Sequence, residues 1–247
     1  APQYKTLLIK NKNFLFVRDF LERNLIKSDL GTEIGSLNYI RKSHKYFLRT
    51  KALQSHTFLP ELNAETTRQI QPKMFNQMNL KEGDLINIDV SAELDGFWAD
   101  NGSSFVLGND IHNYQPLVDA SRAILLKALD KIKGGVRMSE VGGLIESEAK
   151  KSGYKVIRNL AGHGVGRSLH EDPEHILNYK ERFDKKRFKK NSVVAIETFI
   201  ATQSDYADEL NDGWTLVGDK GGVVCQHEHT IVITDGKPMI LTAANGI

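Results

Sequence analysis

Cysteine is nearly absent: Cys225 stands alone among 247 residues, so an intramolecular disulfide is impossible and a disulfide-stapled scaffold is excluded. That scarcity fits a reducing compartment. Charge of one sign is missing as well. Lys and Arg number 33 against 31 Asp and Glu, a balance that gives no reason to expect specific nucleic-acid binding. Long hydrophobic runs are lacking: Phe14–Val17 and Val193–Ile196 are far too short to cross a bilayer, and no charged-then-apolar leader opens the sequence. The expectation is a cytoplasmic protein with no membrane partner. What remains is 40% hydrophobic and 26% charged, an ordinary globular composition able to bury a sizeable core.

Periodicity organises the chain into helices followed by strands, twice. Phe14, Val17, Phe20, Leu21, Leu25 and Ile26 follow helical spacing, and a second helix is expected over 31–47. Residues 48–83 show neither period and read as loops around one short strand. Later, Ile124, Leu125, Ala128, Leu129 and Ile132 form one stripe of a helix over 117–132, and Ser139 is expected to cap a helix that Gly153 ends. Strands are expected over 155–160, 192–200, 214–217 and 223–233. This is an α+β pattern with a largely antiparallel central sheet. The basic run from Lys180 to Lys190 reads as a solvated loop before a buried strand, or as contact with an anionic partner.

Asp89, Asp100, His163, Glu197 and Glu228 are spaced along this scaffold as potential metal ligands. Ile86, Ile88, Val90 and Ala92 alternate with Asn87, Asp89, Ser91 and Glu93, and Asp95-Gly96 supplies a hairpin turn. Asp89 and Asp100 then share a face. They stand directly opposite, about 5 Å apart, or diagonal, about 7 Å apart, depending on where the turn centres. Either way their charges repel unless a proton or a cation lies between them. His163 sits between Gly162 and Gly164, where the lack of side chains lets a ligand approach the backbone, whereas the glycine spacing matches no phosphate loop. Glu197 and Glu228 interrupt apolar strands, so each must be paired, protonated or metal-bound. A rival site uses His227 and His229, which point the same way on a strand, with His170 or His175 nearby.

The motifs Asn87-Ile88-Asp89-Val90 with Asp95-Gly96 and Asp100, Gly162-His163-Gly164-Val165-Gly166, Leu169-His170-Glu171-Asp172-Pro173, Ala195-Ile196-Glu197, Asp212-Gly213-Trp214-Thr215 and Gln226-His227-Glu228-His229-Thr230 together resemble the type I methionine aminopeptidases. The resemblance runs from about Leu80 to Thr242. It implies the pita-bread (creatinase/aminopeptidase-like) fold, with pseudo-twofold halves around a central curved antiparallel sheet flanked by helices. The whole of 1–247 would then be one metallopeptidase domain, with halves near 1–108 and 109–247. By the same resemblance two divalent ions (Co, Mn, Fe or Zn) are bridged by Asp100 and Glu228. Asp89 completes one ion's ligands, and His163 and Glu197 complete the other's. Glu197 is also the proton shuttle, His170 contacts the substrate carbonyl, and Trp214 lines the methionine pocket. The implied activity is removal of the initiator methionine from peptides and nascent polypeptides by a metal-bridging hydroxide.

The pattern departs from that family in places. Its catalytic histidine, counted back without a gap from Asp89, falls on Gln71, followed by Pro72, and His56 is out of register. A glutamine donates a hydrogen bond but cannot replace an imidazole acid. Asn101 stands where threonine is common, and Thr198 where proline is common. Two other readings keep the fold: a proline-directed peptidase, and a weakly catalytic member acting as a binding protein for ribosomes, nascent chains or another partner, which Gln71 and the basic run from Lys180 to Lys190 motivate.

Overall fold

The computed structural model describes residues 5–9, 48–49, 82–94, 97–211 and 215–243. The helices expected over 14–26 and 31–47, Gln71, Trp214 and the Asp95-Gly96 turn lie outside the described residues.

A 10-stranded sheet dominates. Its path joins β2 (Leu48–Arg49), β1 (Lys5–Ile9), β3 (Leu85–Leu94), β4 (Phe97–Val106), β11 (Val224–Val232), β8 (Val193–Ala201), β6 (Ala161–Gly164) and β7 (Glu171–Leu177) in that order. β5 (Lys155–Val156) pairs with β8, and β12 (Met239–Ile240) with β11. Only β1 and β3 run parallel; the other described pairs are antiparallel. A separate pair joins β9 (Ala207–Glu209) to β10 (Leu216–Gly218). The sheet is the central antiparallel layer expected from the sequence.

The central strands β8 and β11 are buried along nearly their whole length. On one face Ile196, Ile200, Cys225 and Ile231 pack against helices α1 (Gln115–Lys131) and α2 (Met138–Lys151). Helix α1 buries Leu117, Val118, Ser121, Ile124, Leu125, Ala128 and Leu129, spaced by three and four as an amphipathic helix requires. Each such leucine contributes about 1.5–3 kcal/mol by leaving water. The Asp110 carboxylate accepts from the amides of Tyr114 and Gln115 at 2.7 and 2.8 Å and so satisfies the start of this helix.

Several sequence expectations need correction. Ser139 does not cap α2: the helix begins at Met138 after Arg137, and the Ser139 hydroxyl donates to the Asp184 carbonyl at 3.2 Å. The far end behaves as expected, since Gly153 takes φ 82° just beyond the helix. The strand over 155–160 stops at Val156, where Arg158 and Asn159 turn the chain by bonding Asp205 and Ala207. β7 is a strand that the sequence pattern does not signal, since Pro173 lies within it. Within the basic loop, buried Phe188 anchors the chain while Lys185, Lys186, Lys189 and Lys190 remain exposed.

Candidate metal centre

Strand alternation decides which side chains meet. Register pairs Asp89 with Gly102, Ser91 with Asp100 and Leu94 with Phe97, which leaves residues 95–96 as a two-residue connection. The diagonal arrangement of Asp89 and Asp100 is therefore the one adopted. Glu228 of β11 stands directly opposite Glu197 of β8, and His163 of β6 pairs with Ala195, two residues from Glu197. All these positions fall on the sheet face opposite α1 and α2.

The result is a buried acidic cluster. Asp89, Asp100, His163, Glu197 and Glu228 are 8%, 4%, 5%, 8% and 1% exposed. Ligand atoms of Asp100, His163 and Glu228 lie within 4.8 Å of one another. His163 Nε2 is 3.8 Å from Asp100 Oδ2 and 3.9 Å from Glu197 Oε1. Its Nδ1 is 2.9 Å from the Gly164 carbonyl, which only accepts, so Nδ1 carries a proton and Nε2 is the nitrogen turned toward the carboxylates and open to a metal ion. Ligands on opposite sides of one ion stand about 4 Å apart, so the cluster needs little adjustment to close around a cation. Oxygen donors with one imidazole suit divalent Mn, Fe, Co or Zn.

Supporting groups hold this face. Ser91 donates to Asp100 Oδ1 at 3.0 Å. The Thr230 hydroxyl donates to the Asp100 carbonyl at 2.7 Å and accepts from the Asp100 amide at 2.8 Å, clamping β4 to β11. Gln226, buried beside Glu228, donates to Glu228 Oε2 at 3.0 Å and lies 3.4 Å from Glu197 Oε2. Sequence reasoning did not single out Ser91, Gln226 or Thr230. The signal was available, because polar residues two apart from a ligand on the same strand share its face.

His170 is exposed, with its ring centroid 4.3 Å from that of His163. Gly162 and Gly164 serve strand packing more than ligand approach: a Cβ at Gly162 would meet the Ala195 carbonyl at 2.5 Å, and one at Gly164 would press on Asp172. The rival histidine pair faces the helices. His227 Nδ1 lies 3.0 Å from Ser121 Oγ, and His229 Nδ1 lies 2.8 Å from Thr242 Oγ1. Burial, reinforced by the Arg122 charge, pushes His227 down to about 3 and His229 to about 4, so both are neutral core residues. The candidate metal-holding cluster among the described residues does not include them.

Residues 42–235 match Metallopeptidase family M24, and the chain belongs to that family. Membership implies divalent metal binding, for which the acidic cluster is the candidate. The chain is 46% identical over 163 residues to methionine aminopeptidase 2 of Bacillus subtilis, covering 66% of each protein. It is 39% identical over 164 residues to a methionine aminopeptidase of Staphylococcus epidermidis, covering 66% of this chain and 65% of that one. These matches thus span about two thirds of the relatives' own length, 66% and 65%. Among solved structures, a methionine aminopeptidase from Thermotoga maritima superposes with TM-score 0.63 at 36% identity, covering 66% of this chain and 65% of that one. A prolidase from Pyrococcus furiosus, 24% identical with TM-score 0.51 over 66% of this chain and 42% of its own, shares the fold alone. The fold is accordingly the pita-bread fold.

Proposed function

We propose that the chain is a two-metal aminopeptidase that removes N-terminal methionine from peptides and nascent polypeptides. The observation that carries this reading is the convergence of Asp100, His163 and Glu228 within 4.8 Å, with Glu197 facing Glu228 across the sheet. Asp100, Glu228, Asp89, His163 and Glu197 would together hold the two ions, with Asp100 and Glu228 contributing to both. Divalent ions held there would acidify a shared water and polarise the scissile carbonyl.

The chain's own groups supply the remaining steps. Glu197 accepts the proton of the attacking water and returns it to the leaving amine, the work of a general base and then a general acid. His170, beside His163 at the exposed rim, donates to the carbonyl oxygen as negative charge develops there. Burial of the acidic cluster keeps bulk water from competing for these groups. The exposed basic loop from Lys180 to Lys190 supports contact with an anionic surface such as the ribosome, from which nascent substrates emerge. No described helix is long and apolar enough to cross a membrane, and a cytoplasmic location follows from the proposed substrate.

The test is methionine release from a Met-Ala-Ser peptide after chelation and readdition of Mn, Co, Fe or Zn. Release should require added metal, and Glu197→Gln should lower kcat by about 10²- to 10⁴-fold. Release that persists after chelation, or cleavage confined to proline-containing dipeptides, would overturn the assignment.

A further inference from the structure

Gln226 is 3% exposed on β11, two residues from Glu228 and on the same face. Its Oε1 accepts from Asn87 Nδ2 at 2.8 Å, which fixes which way the amide points. Nε2 then faces two carboxylates: Glu228 Oε2 at 3.0 Å and Glu197 Oε2 at 3.4 Å. An amide nitrogen carries two hydrogens, so each glutamate takes one. Asn87 is held in turn, donating to Ser104 Oγ at 3.1 Å and to the Gln226 carbonyl at 3.3 Å. The chain of contacts runs from β3 through β11 to β8.

We propose that Gln226 is a positioning residue of the metal centre: oriented by Asn87, its amide holds the Oε2 atoms of Glu197 and Glu228 and turns their other oxygens toward the ions. The inference rests on the metal-site reading given above. Glu197 shows the consequence directly, since the oxygen not held by Gln226, Oε1, is the one 3.9 Å from His163 Nε2. A reversed amide would bring Oε1 against two carboxylates and lose the bond from Asn87, so one orientation is selected. Space for the device comes from Gly102, where a Cβ would overlap the Gln226 amide and approach its Cδ within 2.7 Å. Donors that orient a ligand without touching the metal commonly change its affinity by about 10- to 100-fold.

Calorimetric titration of Mn²⁺ and Co²⁺ into chelator-treated full-length protein tests the idea, with Gln226→Leu, Asn87→Ala and Gly102→Ala beside wild type. All three variants should bind about 10- to 100-fold more weakly and alter the visible absorption of bound Co²⁺. At saturating metal kcat should fall while KM for the peptide stays unchanged. Gly102→Ala retains every polar group and moves only the amide, so it reports if Gln226→Leu does not fold. Wild-type affinity and an unchanged Co²⁺ spectrum in folded variants would sink this inference alone. Failure of the wild-type protein to bind either ion would sink the metal reading, and this inference with it.

Discussion

Asp100→Asn should stabilise the metal-free protein while removing its response to metal. The change preserves shape, and Asn Oδ1 still accepts from Ser91, as Asp100 Oδ1 does at 3.0 Å. It removes a unit charge whose oxygen lies within 4.8 Å of a Glu228 ligand atom. At an effective dielectric constant of about 20, two such charges repel by about 3 kcal/mol. The Ser91 hydroxyl and the Gln226 amide, which donate to Asp100 and Glu228, already offset part of this, so the expected gain is about 1 kcal/mol, or roughly 2–4 °C in melting temperature for a chain of this size. Metal reverses the order. A ligand present at 100 times its Kd stabilises by about 2.7 kcal/mol, and the wild type should show that shift while Asp100→Asn shows almost none. Differential scanning calorimetry after chelation, with and without Mn²⁺ or Co²⁺, reads both effects. A variant melting below wild type without metal, or gaining as much from it, would refute the reasoning.

Asn101→Val should raise stability by about 1–3 kcal/mol, because Asn101 is 2% exposed and neither of its side-chain polar atoms has a hydrogen-bond partner among the described residues; a urea midpoint at or below wild type would contradict this. Cys225 is fully buried and its thiol is pushed up to about 12 by desolvation, so it should stay inert to a thiol reagent until the protein unfolds; rapid labelling of native protein would refute the burial. The Lys127 and Lys151 ammoniums hold the Glu148 carboxyl down to about 2 from an ordinary 4.5. The folded value is depressed, so this contribution is present above about pH 4.5 and fades as pH falls toward about 2. Glu148→Gln should therefore flatten the acid end of the stability profile, modestly and in a salt-sensitive way; an unchanged profile would show the ion pairs contribute nothing.

Much of this was legible because the relevant signals are local. Alternation through Ile86, Ile88 and Val90 places Asp89 on a defined face, and the stripe through Ile124 and Leu129 defines α1. The isolated acids Glu197 and Glu228 were legible as costly residues in apolar strands. Other features depend on distant partners. Ser139 resembles a cap by type, but the Asp184 carbonyl, 45 residues away, takes its hydroxyl. The hydroxyl pairing of His227 and His229 depends on Ser121 and Thr242, which no strand pattern reveals. In the sequence Gln226 is only a flank of Glu228, because its role requires Asn87, 139 residues earlier.

A site carried on strands makes register the quantity that selection must protect. Side chains on β11 alternate with period two, so a slip of one residue against β8 would turn Glu228 into the helix-packed core and bring His227 or His229 to the acidic face. Burying that carboxylate among Ile124, Leu125 and Ile196 without a partner is far costlier than losing a few van der Waals contacts. The apolar residues on the other face enforce the same choice, since Cys225 and Ile231 meet α1 and α2 only in the observed register. At His163 the regular ladder gives way: β6 and β7 shift register between Gly162 and Gly164, while His163 keeps its pairing with Ala195 of β8. Such irregularities re-aim a side chain without disturbing the neighbouring strand. Thus the helix-packed core fixes the carboxylates, and a local departure from the ladder turns the imidazole toward them.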